Sequence, residues 1–392
     1  MFSNSVFGEI LKQLPRGLVA ECVARHGTDK WVKRFTSWEH LVAMLAAQFA
    51  GAGSLRELET VFNSQASHHY HLHAGPVRRS TLADANATRT PALFRDIALA
   101  LIGRGGKAWR EAGSVLSILD ASTITLAGRG FSWAEAERTR DGNQGLKLHV
   151  EMDHQTRQPR YLAVTGNTVN DVTQALDIPL EAGRVYVFDK GYCDYNWWNA
   201  IIQAGSSFVT RLKRNAAFEV IENRATETDG ILQDQIIALT NRFPGGKRTN
   251  QLAGTPLRLV RIPHPAGKTT AFWIVSNDLE APASRIAAHY KARWSIELLF
   301  KWLKQNLKIK RFIAENRNAV MIQIYIAMIA YILIKRFHQA TTSTTCYRMK
   351  HLLRLIAVNL FARPDTVSRR QNQKRMKERQ QPLLWNQLPQ TT

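Results

Sequence analysis

The spacing of hydrophobic and polar positions changes near residue 114 of this 392-residue chain. Before it, apolar residues recur at helical intervals, as in LVAMLAAQFAGAGSLRELETVF, where Gly51 and Gly53 interrupt the pattern and Ser54 can cap the next helix. After it, short runs of β-forming residues alternate with turns. The pattern therefore predicts a helical N-terminal domain over residues 1–110, followed by an α/β region.

Five apolar runs and two helical stretches make up the first part of that α/β region. The runs SVLSILDAS, GLKLHVEMD and PRYLAVTGN come first, then the helical NDVTQALDIPL, the run RVYVFDKG, the helical DYNWWNAIIQAG and the run SFVTRLK. The order strand–strand–strand–helix–strand–helix–strand predicts a mixed α/β sheet.

The remaining boundaries follow from composition. Residues 214–280 contain Gly/Pro-rich turns and the β-like runs PLRLVRI and TAFWIVSND, which predict a β-rich insertion. The segment PASRIAAHYKARWSIELLFKWLKQNLKIKRF predicts one long basic helix. The α/β core would then comprise residues 111–213 and 281–345, and residues 346–392 would form a basic tail.

Residues 318–334 form an uncharged stretch of 17 residues, the lower limit for a membrane span. Polar side chains at Asn318, Gln323, Tyr325 and Tyr331 favour a buried core helix instead. The N-terminal segment MFSNSVFGEILKQLP contains Glu9 and no long apolar core, so we expect neither a signal peptide nor a membrane partner.

The charge indicates the kind of partner. The formal net charge is +22, and residues 281–392 hold 21 Lys and Arg against four Asp and Glu. Such an excess favours a polyanion, either nucleic acid or an anionic membrane surface. Two arginines, Arg78 and Arg79, precede a short polar helix, TLADAN, which Ser80 can cap. This helix could enter a DNA groove or be an ordinary solvated surface helix.

Cysteine and histidine usage argues against a structural metal. The three cysteines, Cys22, Cys193 and Cys346, are far apart and show no zinc spacing, which favours a reducing cytoplasm. The histidines of segment 68–73 are dense, but they follow no common zinc pattern, so we interpret them as loop residues.

Carboxylates that end apolar strands are the candidate catalytic groups. Asp120 follows SVLSIL and Asp189 follows RVYVF, and a carboxylate there is costly unless it is paired or holds a cation. Either aspartate could instead cap a following helix. Glu151 and Asp153 on GLKLHVEMD are rival carboxylates of lower rank.

A polar stripe lies on the predicted basic helix. Tyr290, Arg293, Glu297 and Lys304 fall within about 60° of one another at 100° per residue. One explanation is an exposed face with Arg293 and Glu297 paired at i,i+4. The other is a metal-binding carboxylate beside three groups that hold phosphate.

These four residues match Y-x-x-R-x-x-x-E-x-x-x-x-x-x-K, which resembles the signature of the IS-four family of insertion-sequence transposases, a group of DDE recombinases. SILDAS resembles the family's first-aspartate strand and VFDKGYCDY its second-aspartate motif. The N-terminal NSVFGEILKQLP and YHLHAGPVRRSTLADAN resemble a small N-terminal domain of one branch. The resemblance covers about residues 5–340 and implies an RNase H-like core after a helical, DNA-binding N-terminal domain.

The resemblance implies a catalytic and metal-binding triad of Asp120, Asp189 and Glu297 holding two Mg²⁺ (or Mn²⁺) ions. Two such ions suit phosphodiester cleavage, because they stabilise the attacking and leaving oxygens. It also implies DNA contacts, for which the candidates are Tyr290, Arg293, Lys304, Trp273, Arg211 and Lys213. Trp273 would stack on a base flipped from the duplex, or it would pack the core of the insertion.

The implied activity is cleavage at the ends of an insertion sequence and strand transfer into target DNA, with a homodimer assembled on the DNA in the bacterial cytoplasm, associated with the nucleoid. A hairpin intermediate is expected only from the resemblance. Two alternatives remain: an RNase H-like nuclease that cuts without joining, and an inactive DNA-binding regulator. Both are open at this point, although all three acidic residues of the triad are present.

Overall fold

The structure, a computed structural model, describes residues 4–104, 115–126, 129–139, 142, 144–226, 230–244, 248–264, 270–307, 312–340 and 347–364. The chain divides into two units. The first comprises residues 1–101, 129–131 and 302–392, and the second comprises residues 102–128 and 132–301.

The first unit is helical in its described parts, as the apolar spacing predicted. Thr36 caps α3 with a reciprocal Thr36–Glu39 capping box, which satisfies two backbone donors at its start. The helices are α1 (Val6–Leu11), α2 (Arg16–His26), α3 (Ser37–Ala50), α4 (Leu55–Asn63), α5 (Ala66–Leu72), α6 (Arg79–Thr88), α7 (Pro91–Arg104), α12 (Arg317–Ala340) and α13 (Met349–Asn359).

Helix α12 contains the stretch that we weighed as a membrane span. Among the described helices it alone is long and apolar enough to cross a membrane. Of its apolar 18-residue stretch, 83% is buried inside the structure. It packs on α1, α3, α6 and α13. Asn318 donates to the carbonyl of Asn86 at 2.8 Å, and the Gln323 side-chain oxygen accepts from the amide of Ile313 at 3.0 Å. The polar residues of the stretch therefore have partners inside the first unit, as a core helix requires.

The second unit contains a sheet of nine strands among its described residues, in the order β3-β2-β1-β4-β5-β9-β8-β7-β6. The strands are β1 (Leu116–Thr125), β2 (Gly145–Asp153), β3 (Pro159–Gly166), β4 (Val185–Val187), β5 (Ser207–Arg211), β6 (Phe218–Arg224), β7 (Gln233–Leu239), β8 (Pro256–Ile262) and β9 (Phe272–Ser276). Its helices are α8 (Asp171–Ala175), α9 (Tyr195–Gln203), α10 (Ala283–Ala292) and α11 (Trp294–Asn306), the last of which crosses into residues of the first unit.

Strands β1 to β5 with α8 and α9 follow the predicted element order. β1, β2 and β3 are antiparallel neighbours, whereas β4 is parallel to β1 and β5 is parallel to β4. This mixed α/β arrangement is an RNase H-like core, so the predicted fold class is confirmed. A cluster of buried side chains, among them Leu119, Tyr186, Trp198 and Phe208, fills one face of this sheet.

The region predicted as an insertion contributes four strands, two more than the sequence pattern indicated. β6 was missed because most of its side chains are exposed, so it lacks an apolar run. β9 pairs antiparallel with β5, which makes the added strands a continuation of the core sheet.

The predicted long basic helix is two helices, so that expectation was wrong at its centre. α10 ends at Ala292, and the amide of Arg293 bonds the carbonyl of Tyr290 at 3.1 Å, a tighter i→i−3 turn. α11 then ends at Asn306, and the predicted continuation through residues 308–311 lies outside the described residues.

Two local expectations in the first unit also need correction. The histidine segment lies mostly on helix α5, and the buried His69 stacks on Phe62 at 4.5 Å between ring centroids. Ser80 does not cap α6, because the helix already begins at Arg79. The predicted tail beyond Pro364 and Cys346 lie outside the described residues, and the proposed domain boundaries stay a prediction.

Candidate functional site

The register of two parallel strands aligns the two candidate aspartates. Ile118 of β1 pairs with Val187 of β4. Asp120 and Asp189 each follow two residues later, so both side chains lie on the same face of the sheet, at the carboxyl end of β4. Leu119 points to the other face and joins the buried cluster there.

The turn between α10 and α11 brings the third carboxylate to these aspartates. Arg293 donates to Asp120 at 3.1 Å and to Glu297 at 2.5 Å, so one guanidinium bridges both carboxylates. The Tyr290 hydroxyl donates to Asp189 at 3.4 Å. Side chains from β1, the end of β4 and α11 thus meet through two residues of the Y-x-x-R signature. The Arg293–Glu297 pair at i,i+4, which the explanation of an exposed face required, is also present, but Arg293 contacts Asp120 as well.

The electrostatics of the cluster disfavour ionisation of Asp120. Removal from water raises its pKa to about 6, and the charges of Asp189 and Glu297 add to the effect, while Arg293 and the amide of Ala121 oppose it. Burial likewise raises the pKa of Tyr290 to about 12, so its hydroxyl stays a donor at neutral pH. Three partly desolvated carboxylates beside one arginine carry more negative charge than that arginine compensates, so a further positive charge would be stabilising.

The donor chemistry of the cluster fits a hard divalent cation, which prefers carboxylate oxygens. As they stand, however, no three Asp, Glu, His or Cys side chains in the described ranges are close enough together to enclose an ion. At this cluster, the carboxylates do not enclose an ion because the Arg293 guanidinium lies between Asp120 and Glu297.

Phe272 is a residue of this site that sequence reasoning passed over. The guanidinium carbon of Arg211 lies 4.3 Å from its ring centroid, and the Tyr290 ring packs edge-on against it at 6.2 Å. Phe272 therefore lies on the face of the sheet that carries the carboxylates. Side chains alternate between the two faces of a strand, so the sequence could have placed Phe272 on this face if the face of a neighbouring residue had been known.

Trp273, the neighbouring candidate, points the other way. It is partly buried against the cluster that contains Leu119 and Tyr186, and its ring meets Phe218 at 5.5 Å. The structure thus places Trp273 on the face opposite Asp120. Base stacking by Trp273 stays a prediction, and the observed packing matches the alternative of a core residue.

Two further basic candidates are Lys213 and Lys304. Lys213 lines a polar cavity of about 650 Å³ together with Asn170, Cys193 and Arg248. Lys304 lies on α11, seven residues after Glu297, and belongs to the first unit.

The rival carboxylates are engaged elsewhere. Glu151 accepts from Ser117 at 2.8 Å and pairs with Arg160 at 3.3 Å, and Asp153 lies 3.7 Å from Arg184. Both are buried, and both alternate with Val150 and Met152 on β2, so they point away from the face of Asp120. Their surroundings are those of structural ion pairs.

The strand order and the parallel pairing of β1, β4 and β5 define an RNase H-like fold. Residues 111–333, more than half of the chain, match the family described as Transposase DDE domain. Residues 3–74 match a domain of unknown function, DUF4372. The chain therefore belongs to the DDE transposases, enzymes that cleave DNA, transfer its strands and generally use divalent metal ions.

Curated relatives agree with this assignment. The chain is 40% identical over 261 residues to y4zB of Sinorhizobium fredii, named as a transposase, covering 65% of this chain and 70% of the relative. It is 27% identical over 232 residues to a protein of Geobacillus stearothermophilus named as the transposase of insertion sequence element IS5377, covering 59% and 58% of the two chains.

The chain is also similar to a third relative over a shorter segment and to one solved structure. A Synechocystis protein named as the transposase of insertion sequence element IS4SA is 32% identical over 156 residues, covering 38% of this chain and 40% of that protein. A cryo-EM structure of a piggyBac transposase synaptic complex with hairpin DNA aligns with a TM-score of 0.46 and 10% identity, over 98% of this chain and 85% of that chain.

Proposed function

We propose that Asp120, Asp189 and Glu297 are the catalytic carboxylates of this transposase, and that the enzyme cuts DNA at the ends of an insertion sequence and joins them to target DNA. The observation that carries the proposal is the bridge from Arg293 to Asp120 and Glu297, with Tyr290 on Asp189. Residues far apart in the chain meet at one point on the sheet, and they come from the two aspartate motifs and from the signature.

The cofactor would be two Mg²⁺ or Mn²⁺ ions held by these three side chains. When bound, such ions stabilise charge on the attacking and leaving oxygens of a phosphodiester. Asp120, Asp189 and Glu297 would hold the ions in their ionised form, and the Arg293 guanidinium beside Asp120 and Glu297 would donate to a phosphate oxygen.

The chain's own residues would orient the DNA. Tyr290 keeps its proton and can donate to a phosphate oxygen or to Asp189. Arg211 lies over the ring of Phe272, and its planar guanidinium would donate to the DNA backbone. Lys213 and Lys304 would add phosphate contacts that do not read sequence.

The reaction then follows from these roles. Water cuts the strand at the element's end and leaves a 3′-hydroxyl, and that hydroxyl attacks a phosphodiester of the target, so one P–O bond forms as another breaks. Joining two ends in one event requires two sites, and we therefore propose a homodimer assembled on DNA. The place of action would be the nucleoid in the bacterial cytoplasm, where the DNA is.

Glu297→Gln tests the catalytic assignment. With Mg²⁺ and the DNA that flanks the gene, we expect cleavage and strand transfer to disappear while the affinity for DNA stays within about twofold, because phosphate contacts dominate affinity. Glu219→Gln, an exposed glutamate on β6, is the matched control and should keep full activity. Mg²⁺-dependent cleavage by the Glu297→Gln variant would refute the proposal, and cleavage without joining by the unmodified protein would favour the nuclease alternative.

A further inference from the structure

Helix α8 packs against the turn that follows Asp189. The turn is residues 190–192, which come directly after Asp189 in the chain. The atom Oδ2 of Asp171, at the start of α8, is 3.4 Å from the position that a β-carbon on Gly191 would occupy. Ala175, at the end of α8, belongs to the buried cluster on the face opposite the carboxylates. α8 thus supports this turn from the other side of the sheet.

The direction of the Asp189 side chain depends on this turn. Its carboxylate accepts from the amide of Lys190 at 2.7 Å, and its backbone carbonyl accepts from the amide of Tyr192 at 3.0 Å. Burial raises the pKa of Tyr192 well above its ordinary value. The charges of Asp171, Asp120 and Asp189 add to this effect, so all three carboxylates lie near the same phenol. A shift of the turn would therefore carry the Asp189 carboxylate with it.

One lysine fixes the start of α8. The Lys147 ammonium donates to the carbonyl of Val169 at 2.8 Å and to the carboxylate of Asp171 at 2.9 Å. The side chain of Lys147 is 16% exposed and that of Asp171 is 27% exposed, so water screens the pair only in part. Lys147 is three positions from Val150, the partner of Asp120 on β1, so its side chain lies on the face opposite Asp120. The ion pair therefore joins β2 to α8 behind the carboxylates.

α8 needs this support because it contributes little stability of its own. It has five residues, fewer than an isolated helix needs in water. Asn170 caps it by accepting from the amide of Val172 at 3.2 Å, and Lys147 ties the capped end to β2. Groups that carry out a reaction must be held within about 0.5 Å of the productive geometry. A small displacement of α8 at Asp171 is therefore enough to take the Asp189 carboxylate out of position.

We propose that the ion pair of Lys147 and Asp171 positions the Asp189 carboxylate for DNA cleavage, acting through α8 and the turn at Gly191. This inference rests on the proposed function, in which Asp189 is a catalytic residue. Lys147 and Asp171 act from the opposite face of the sheet, so they are positioning residues and not catalytic ones. Their loss should therefore slow the reaction without weakening the binding of DNA.

Lys147→Met in the full chain tests the proposal, because methionine keeps the length of the side chain and removes its charge. With Mg²⁺ and the DNA that flanks the gene, we expect kcat of cleavage to fall about tenfold while KM for the DNA stays within about twofold. Lys147→Arg, which can still donate to both oxygens, should restore kcat to within about threefold of the unmodified protein. The matched control is Arg160→Met, since Arg160 is 18% exposed and pairs with Glu151 at 3.3 Å. Both methionine variants should melt a similar few degrees lower, but Arg160→Met should keep its kcat.

Hydrogen exchange gives a readout that does not depend on activity. The amides of residues 190, 192 and 193 are hydrogen-bonded within the turn, so they should exchange about tenfold faster in Lys147→Met and at the unmodified rate in Arg160→Met. Unchanged kcat or unchanged exchange in Lys147→Met would overturn the inference, as would equal changes in the two methionine variants. These results would leave the carboxylate assignment intact, whereas cleavage by the Glu297→Gln variant would refute that assignment without altering the exchange result.

Discussion

Arg293 illustrates at the residue scale how one side chain stabilises an acidic cluster. Its guanidinium contacts Asp120 and Glu297, which lie 177 positions apart in the chain and would otherwise repel each other. The pKa of Asp120 is nevertheless raised to about 6, chiefly by burial and to a smaller extent by the charges of Asp189 and Glu297. The same residue can therefore hold the carboxylates together and, in the proposed function, donate to a phosphate of bound DNA.

His40 makes the folding of the first unit sensitive to acid. It is fully buried on α3, where its ring accepts or donates one hydrogen bond with Asn86 at 3.0 Å. Burial lowers its pKa from 6.5 to about 3, and the charge of Arg89 adds to this. The unfolded chain thus binds a proton between pH 6.5 and 3 that the folded chain does not, so the stability contributed by neutral His40 is present above pH 6.5 and is lost as the pH falls.

We expect protonation of His40 in the unfolded chain to lower the free energy of unfolding by about 2 kcal/mol when the pH falls from 7 to 5. His40→Gln, whose amide can still meet Asn86, should abolish that part of the pH dependence. Urea unfolding at the two pH values, followed for both proteins, measures the difference. Parallel profiles for the variant and the unmodified protein would show that His40 does not titrate on unfolding.

At the scale of elements, strand alternation sorts adjacent aromatic residues into different roles. Phe272 and Trp273 are neighbours on β9, yet Phe272 packs with Arg211 and Tyr290 while Trp273 packs with Phe218 and the buried cluster. The pairing of β9 with β5 sets which of the two faces the carboxylates. That pairing joins residues more than 60 positions apart in sequence.

Two alanine substitutions on β9 test this division. Trp273→Ala should lower the unfolding free energy by about 3 kcal/mol, because it leaves a cavity beside the buried cluster, and should leave cleavage per folded molecule close to normal. Phe272→Ala should instead reduce cleavage with a smaller loss of stability, because Arg211 loses its support. Calorimetry and a cleavage assay give the two readouts. An unchanged melting temperature with loss of a hairpin step in Trp273→Ala would support base stacking by Trp273.

At the scale of the whole molecule, segments distant in sequence make up each unit. The first unit combines the N-terminal helices with α12 and α13, and Asn318 of α12 bonds carbonyls near the end of α6. The apolar side chains of α12 are therefore buried inside the protein. Its burial is expected to be a main source of stability for that unit.

Leu333→Ala tests the contribution of α12. Leu333 is fully buried, so the substitution should cost about 2–5 kcal/mol of unfolding free energy. Val358→Ala on α13 is the control, because Val358 is 77% exposed and its truncation should change stability by less than about 0.5 kcal/mol. Chemical denaturation of both variants checks the prediction. A similar small effect for both would mean that α12 is not part of the core.

Much of this protein could be predicted from the sequence because the relevant signals are local. Alternation and turn residues located β1 to β5, and helical spacing located the N-terminal helices and α12. The family signature could be recognised because its residues lie within 15 positions. β6, in contrast, escaped notice because its side chains are mostly exposed, and the break at Arg293 escaped notice because either side of it has good helical spacing.

The sequence by itself determined which residues could form the site, since only certain side chains carry the charge and hydrogen-bonding capacity that phosphodiester chemistry needs. The tertiary structure decided how they are arranged. The register of β4 on β1 aligns Asp189 with Asp120, and the turn at Arg293 brings a guanidinium between two carboxylates. The pairing of β9 with β5 places Phe272 on the face of the carboxylates and Trp273 on the opposite face. These outcomes depend on contacts between segments 60 to 170 residues apart, and no local pattern encodes the register in which such segments pair.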